Sequence, residues 1–294
     1  MMIRAHIMLW MTAIIWGLSF VAQSSVTSLL EPNSFNAARF VFATLSLTLL
    51  LFIFPTKQCY QRRELIKKGV LLGIVLFTGF SFQQAGLDYV SAGDAGFVSS
   101  TYIVIVPLIG FMMGQKVTKS TWLGVLIATF GLYFLSVSKN FNIKHGDIIE
   151  LIGAFFWACH VILISKLAKQ FPPIPLATAQ FATAALLASI AAYSFEQPKL
   201  SHYTQEWAPI LYSSVIALGI ASIFQILGQK QVSASISALI LSTAAIFSLL
   251  GDWLIVENAL STRAYIGCGF ILAGLIITLI PCKSTTNSKA TTDN

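Results

Sequence analysis

Two stretches, FQQAGLDYVSAGDAGFVSST at Phe82–Thr101 and FQILGQKQVSASISALILST at Phe224–Thr243, lie over one another when the chain is shifted by 142 positions. Eight of the 20 aligned positions are identical, among them Gln83 with Gln225, Gly86 with Gly228, and Ser100 and Thr101 with Ser242 and Thr243. Two segments of similar apolar bias agree by chance at roughly one position in ten. The match therefore marks an internal repeat, and a repeat constrains the whole architecture. It extends outward in both directions. At a shift of 141, Trp16 lies over Trp157, Pro32 over Pro173 and Phe40 over Phe181; at 143, Gly124 lies over Gly267 and Gly131 over Gly274.

The repeat is written in membrane residues. Of 294 residues, 56% are hydrophobic and 10% charged, with a mean hydropathy of +0.79; soluble domains carry about 25% charged residues. A span needs about 20 mostly apolar residues. Runs bounded by charge, Pro or Gly predict ten: Ile7–Leu29, Ser34–Phe54, Gly69–Leu87, Gly93–Met113, Lys119–Ser138, Ile148–Ser165, Pro173–Ser194, Ala208–Gly228, Ser233–Val256 and Ala264–Cys282. The first is longer than a signal-peptide core and lacks a small-residue cleavage site, so it reads as a retained span. The expected domains are residues 1–140 and 141–283, followed by a Ser/Thr/Asn-rich, disordered tail at 284–294.

Charge orients the bundle. With the N-terminus inside, thirteen Lys and Arg fall in inner segments, four in outer ones, and Arg39 falls within a span. That asymmetry predicts both termini in the cytoplasm; the membrane expected is the inner membrane of a bacterium. Five spans per repeat is odd, so the second half is expected upside down relative to the first, as in many secondary transporters. The fold class expected is thus all-α, with ten transmembrane helices in two inverted five-helix repeats around a central cavity.

Several function classes fall away. The net charge of +7 is spread over short basic clusters such as Gln61–Lys68, without interleaved aromatics, so nucleic acid is not an expected partner. Cys59, Cys159, Cys268 and Cys282 have no ligand spacing, so no metal is expected. No phosphate-binding glycine loop, dinucleotide fingerprint or zinc-helix motif occurs, and no cofactor is expected. Neither a nucleophile, a base nor an orienting group stands out, so an enzyme is not expected.

Polar residues inside spans are the remaining signal, because lipid penalises them. His160 lies near the middle of the sixth span; it is either a proton acceptor or substrate ligand, or an interhelical hydrogen-bonding group. Arg39 lies roughly 7–8 Å from the outer end of the second span, at 1.5 Å per residue. It would hold a substrate carboxylate, or else snorkel to the interface. Gln83, Gln84, Gln180 and Gln225 suit a zwitterion, or serve as helix–helix glue. Trp16, Ser19 and Gln23 share one face of the first span, and Trp157 matches Trp16, so two indoles would flank the cavity near Phe82. The carboxylates Asp94, Asp147, Glu150, Asp252 and Glu257 read as solvated span ends, with Asp252 and His160 the proton-coupling candidates. Gly267, Gly269 and Gly274 read as close-packing positions.

The segments WGLSFVAQ (Trp16–Gln23), PNSFNAARF (Pro32–Phe40), LDYVSAGDAGF (Leu87–Phe97), VPLIGFMMGQKVT (Val106–Thr118), GDIIELIGAFFWACHV (Gly146–Val161), ILGQKQVSAS (Ile226–Ser235) and GFILAGLIITL (Gly269–Leu279) resemble the EamA-type transporters of the drug/metabolite transporter superfamily. The resemblance implies ten helices around a cavity and alternating access, with export of amino acids or similar small polar solutes. Efflux of cationic or aromatic drugs is the alternative within transport. A membrane-embedded enzyme or a non-transporting scaffold is the alternative outside it. Where such proteins often carry an acidic residue and a proline in the ninth span, this chain reads Ala244–Ala245, while the fourth span keeps Pro107. A proline-assisted bend is therefore expected in one repeat only.

Overall fold

The computed structural model describes residues 2–56, 58–90, 92–136, 145–197, 199–257 and 261–279. Among them there are helices and turns and no strand. In chain order the helices are α1 (Met2–Ser25), α2 (Pro32–Ile53), α3 (Arg62–Gly86), α4 (Ala92–Ser100), α5 (Tyr102–Met112), α6 (Lys119–Ser136), α7 (His145–Leu167), α8 (Pro173–Phe195), α9 (Leu200–Gln205), α10 (Trp207–Leu211), a π-helical segment (Tyr212–Ile220), α11 (Ala221–Gln229), α12 (Ala234–Leu241), α13 (Ala244–Ile255) and α14 (Thr262–Leu279).

Eight segments are long and apolar enough to cross a membrane: α1, α2, α3, α7, α8, the run from α10 to α11, the run from α12 to α13, and α14. The fourth apolar run of the sequence is broken into α4 and α5, and its apolar part, Val98–Met112, is shorter. The fifth is the 18-residue α6. Large apolar side chains line the outside, with Leu49, Phe130, Leu186 and Ile276 all more than half exposed. Hydrocarbon is the solvent those faces fit, because every backbone polar group on a helix is already paired. This is an integral membrane protein.

Local chemistry sets the helix ends. Pro32 and Pro173 each open a helix, where the missing N–H is no loss and the fixed φ is already helical. Ser233 accepts from the Ile236 amide to cap α12. Gly114, at φ +77°, closes α5 in the left-handed conformation that glycine reaches without strain. The segment Tyr212–Ile220 winds as a π-helix and exchanges hydrogen bonds with α1: the Trp16 indole donates to Ala217 O at 2.9 Å, and the Tyr212 hydroxyl donates to Ile15 O at 3.1 Å.

Small residues let the helices approach. α6 packs along α14, and a Cβ added to Gly131 would lie 2.6 Å from the Gly267 carbonyl oxygen, while one on Gly124 would strike Gly274 and Thr278. Around this pair, α2 packs on α8 and on the π segment, α3 on α7 and α8, and α1 on α11 and α13. Finally, α4 and α5 pack on α7, α13 and α12.

Candidate functional site

Two broken helices meet near the middle of the molecule. The α4–α5 break falls at Ser100 and Thr101, and the α12–α13 break at Ser242 and Thr243, the positions the 142-residue shift superposes. At both breaks the hydroxyls turn back onto carbonyls of the preceding turn. Ser100 donates to Gly96 O at 2.6 Å and Thr101 to Val98 O at 2.7 Å; Ser242 donates to Leu239 O at 2.8 Å and Thr243 to Ile240 O at 2.6 Å. Such back-bonding competes with the helical ladder. The amides of Thr101 and Thr243 accordingly bond three residues back rather than four. The expectation of a bend in one repeat only is corrected here: Pro107 lies inside α5, the break precedes it, and the second break has no proline. The two breaks touch, with the Ser100 hydroxyl 3.3 Å from the Ser242 carbonyl.

Beside the breaks lies a cavity of about 50 Å³. It has room for a few waters. Trp16, Ser19, Gln23, Arg39, Gln83 and Trp157 all line it. The two indoles stand 5.9 Å apart at 48°, and Phe80 meets Trp157 edge-on at 4.6 Å. The Trp157 indole N–H is buried without an acceptor, whereas that of Trp16 is held by Ala217.

Arg39 is the charged residue of the wall. It is 1% exposed. Its Nε and Nη2 donate to Asn36 Oδ1 at 2.8 and 2.5 Å, and Nη1 donates to Gln23 Oε1 at 2.6 Å. The guanidinium also lies 4.2 Å from the Phe80 ring centre and 4.9 Å from that of Phe35. A guanidinium has five N–H donors, and these bonds use one on each nitrogen. Each terminal nitrogen keeps a further donor. Among the described residues no carboxylate reaches Arg39, and the one side-chain ion pair joins Lys67 to Glu64. Gln23 is itself fixed, its Nε2 bonding Ser19 Oγ and O at 3.1 Å, and Gln84 donates to Gln23 O at 3.3 Å.

A second polar chain leads away from the wall. Gln83 donates to Ser99 Oγ at 3.1 Å, and Ser99 donates to Glu150 Oε2 at 2.7 Å. Glu150 is 0% exposed, which corrects its reading as a solvated span end. The helix continues past it, and Gly86 is bare enough to let the carboxyl pack against α3. The signal was available in the sequence: Glu150, Gly153, Ala154, Trp157 and Val161 form one helical stripe, and all five are buried.

Other sequence candidates lie outside the cavity lining. His160 Nε2 and Gln180 Oε1 are 2.9 Å apart, both residues are buried, and the imidazole meets the Trp157 ring edge-on at 5.8 Å. An amide oxygen only accepts, so Nε2 carries the proton, and Nδ1 has no partner. Gln225 is buried with neither end of its amide bonded. Phe82 is half-buried and stacks on Phe156 at 6.2 Å. Asp252 is half-buried on α13. The side chain of Asp94, the segment 137–144 and the tail from 280 onward lie outside the described residues.

The sequence model of the EamA-like transporter family matches residues 3–137 and again residues 144–280. The chain belongs to the EamA-like transporter family. Among this family member's relatives, an uncharacterized transporter of Archaeoglobus fulgidus is 33% identical over 275 residues, covering 93% of this chain and 85% of that protein. The uncharacterized transporter YoaV of Bacillus subtilis is 20% identical over 284 residues, 94% of this chain and 97% of that one. A solved crystal structure superposes with a TM-score of 0.76 at 17% identity, over 94% of this chain and 96% of the other. At that identity the likeness is one of fold.

Proposed function

We propose that this EamA-family transporter exports small solutes bearing a carboxylate, with amino acids the best match, by proton-coupled alternating access between two inverted five-helix repeats. The observation that carries the substrate class is Arg39, a buried cation on the cavity wall with donors to spare and, among the described residues, no carboxylate within reach. Such a group is worth most when an anion completes it, and bidentate capture of a carboxylate is what its fork is shaped for. The same charge repels cationic drugs, so it weighs against that efflux. The Trp16 and Trp157 faces across the cavity suit a substrate ammonium group or an aromatic side chain. A space for a few waters suits a small solute, and alternating access supplies other conformations for its entry and exit.

Packing supports the repeat division at 1–140 and 141–283. Exchanging each element for its counterpart in the other half turns the α3–α7 contact into α11–α1, α3–α8 into π segment–α2, and α1–α13 into α7–α4/α5. The α6–α14 pair exchanges with itself, Gly124 opposite Gly274 becoming Gly267 opposite Gly131. An inverted pseudo-dyad gives this closure. Lys and Arg placement supports a bacterial inner membrane with both termini inside; a single cysteine between residues 61 and 68 should resist an external impermeant thiol reagent that labels one at Ser201.

The substrate test compares amino acids with their carboxamides. Ligand binding to the folded state raises thermal stability. Purified protein should be stabilised by one or more free amino acids, but not by the matching amides or by quaternary ammonium compounds. Equal stabilisation by acid and amide would remove Arg39 from recognition, and a shift with the ammonium compounds alone would favour drug efflux.

A further inference from the structure

Glu150 occupies a place that packing would fill with hydrocarbon. Glu150 on α7 lies against Gly86 on α3, and Leu9 on α1 lies against Gly228 on α11. The offsets are those that relate the halves, 142 for the glycines and 141 for their neighbours. The geometry repeats closely: a Cβ on Gly86 would lie 2.5 Å from Glu150 Cγ, and one on Gly228 would lie 2.6 Å from Leu9 Cγ. Both side chains are 0% exposed. Leucine serves the shape in one half, so the carboxyl in the other answers to something besides packing.

Among the described residues, the surroundings hold no counter-ion for it. Oε2 accepts one hydrogen bond, from Ser99; Oε1 has none and packs toward Gly86. On α7 itself, Asp147 lies one turn earlier and carries the same sign, with His145 against Tyr89 at the helix end. From α4 comes Ser99, the side chain of Asp94 lying outside the described residues; from α5 the one titratable group is Tyr102. Neither α11 nor α12 contains a titratable side chain. The basic residues of α3 sit at its far end, Lys68 being 18 residues from Gly86, or about 27 Å along a helix. Asp88 follows α3 and is again acidic. An ionised carboxylate here would have a single hydrogen bond for two oxygens in a site closed to water, which is costly. Carrying a proton, the same group is neutral.

We propose that Glu150 is the proton-binding site of the transport cycle, protonated in this conformation and deprotonated when the cavity fills with water. Ser99 makes the connection, because it lines the cavity and donates to Oε2. In the release step the Glu150 O–H bond breaks, its electron pair stays on the carboxylate, and the proton leaves on water as hydronium. Ser99 then holds the new anion, while Gln83 fixes Ser99. The role in a cycle rests on the transport reading above; the proton site itself does not.

The experiment is infrared difference spectroscopy of the purified full-length protein in lipid, titrated between about pH 6 and about pH 9, where surface carboxylates stay ionised. The native protein should show a protonated-carboxyl C=O band that is lost as pH rises. The band should be missing from Glu150→Gln and from Glu150→Leu, the latter borrowing the apolar solution of the other half and keeping the native thermal transition. A native spectrum without a titrating band, or a band that survives in either folded variant, overturns the proposal. Because no solute is needed, a lost band in a protein that transports nothing sinks the transport reading alone. Transport by a protein without the band sinks the proton site alone.

Discussion

Where α3, α4 and α7 meet, Gln83 hands a hydrogen bond to Ser99 and Ser99 hands one to Glu150. Where α11, α12 and α1 meet, the positions in register are Gln225, Leu241 and Leu9, and the Gln225 amide bonds to nothing. A similar contrast separates α2 from α8. Arg39, held by Gln23 and Asn36, faces in register Gln180, held by His160. The backbone plan is shared between these junctions, down to the helix breaks and the close glycines, while the charge is not. Symmetry supplies the scaffold and its pairwise contacts; Arg39 and Glu150, the residues proposed for solute and proton, sit where the two junctions differ.

The sharpest way to break this comparison is to erase the difference. Arg39→Gln gives α2 the residue that α8 already carries. Loss of the charge-assisted bonds should weaken amino-acid binding about a hundredfold, read from thermal shifts or from exchange in proteoliposomes. Unchanged affinity would make the asymmetry ornamental.

The shared scaffold should respond evenly. Gly131→Ala on α6 forces a methyl against α14 and its repeat partner Gly274→Ala on α14 forces one against α6, and each should lower stability by about 1–3 kcal/mol, measured by unfolding in detergent. Gly269→Ala meets nothing within 4 Å and should stay within about 0.5 kcal/mol. A large gap between the first two would deny them equivalent places.

The smallest effect separates the paired glutamines. Gln83→Leu strips Ser99 of its donor and should cost about 1 kcal/mol, whereas Gln225→Leu removes an amide that bonds nothing and should be neutral or slightly stabilising. Equal losses would mean that Gln225 is satisfied after all.

Much of this was legible from the letters. Long apolar runs announced the helices, and the pairing of Gly124 with Gly267 and of Gly131 with Gly274 announced a close helix pair. The matched tryptophans announced two indoles on one cavity. Three features were not legible. Pro107 drew attention to the wrong breaker, because hydroxyl back-bonding at Ser100 and Thr101 looks like ordinary polarity in a sequence. Glu150 looked solvated, because distance from a helix end was read without asking which face it occupied. Gly269 looked like a packing position, because small size does not say which way a helix faces.

One carboxyl, present at one junction and absent from its counterpart, also limits the work the molecule can do. A cycle that loads and unloads a single proton moves at most one elementary charge on that group, worth about 2.3 kcal/mol per 100 mV of membrane potential. At about 1.4 kcal/mol per factor of ten, 100 mV sustains roughly a fiftyfold solute gradient per proton, and each unit of pH difference adds about tenfold. A molecule with Glu150 repeated at the Leu9 position would square that ceiling, at the expense of stalling whenever only one of the two protons was available.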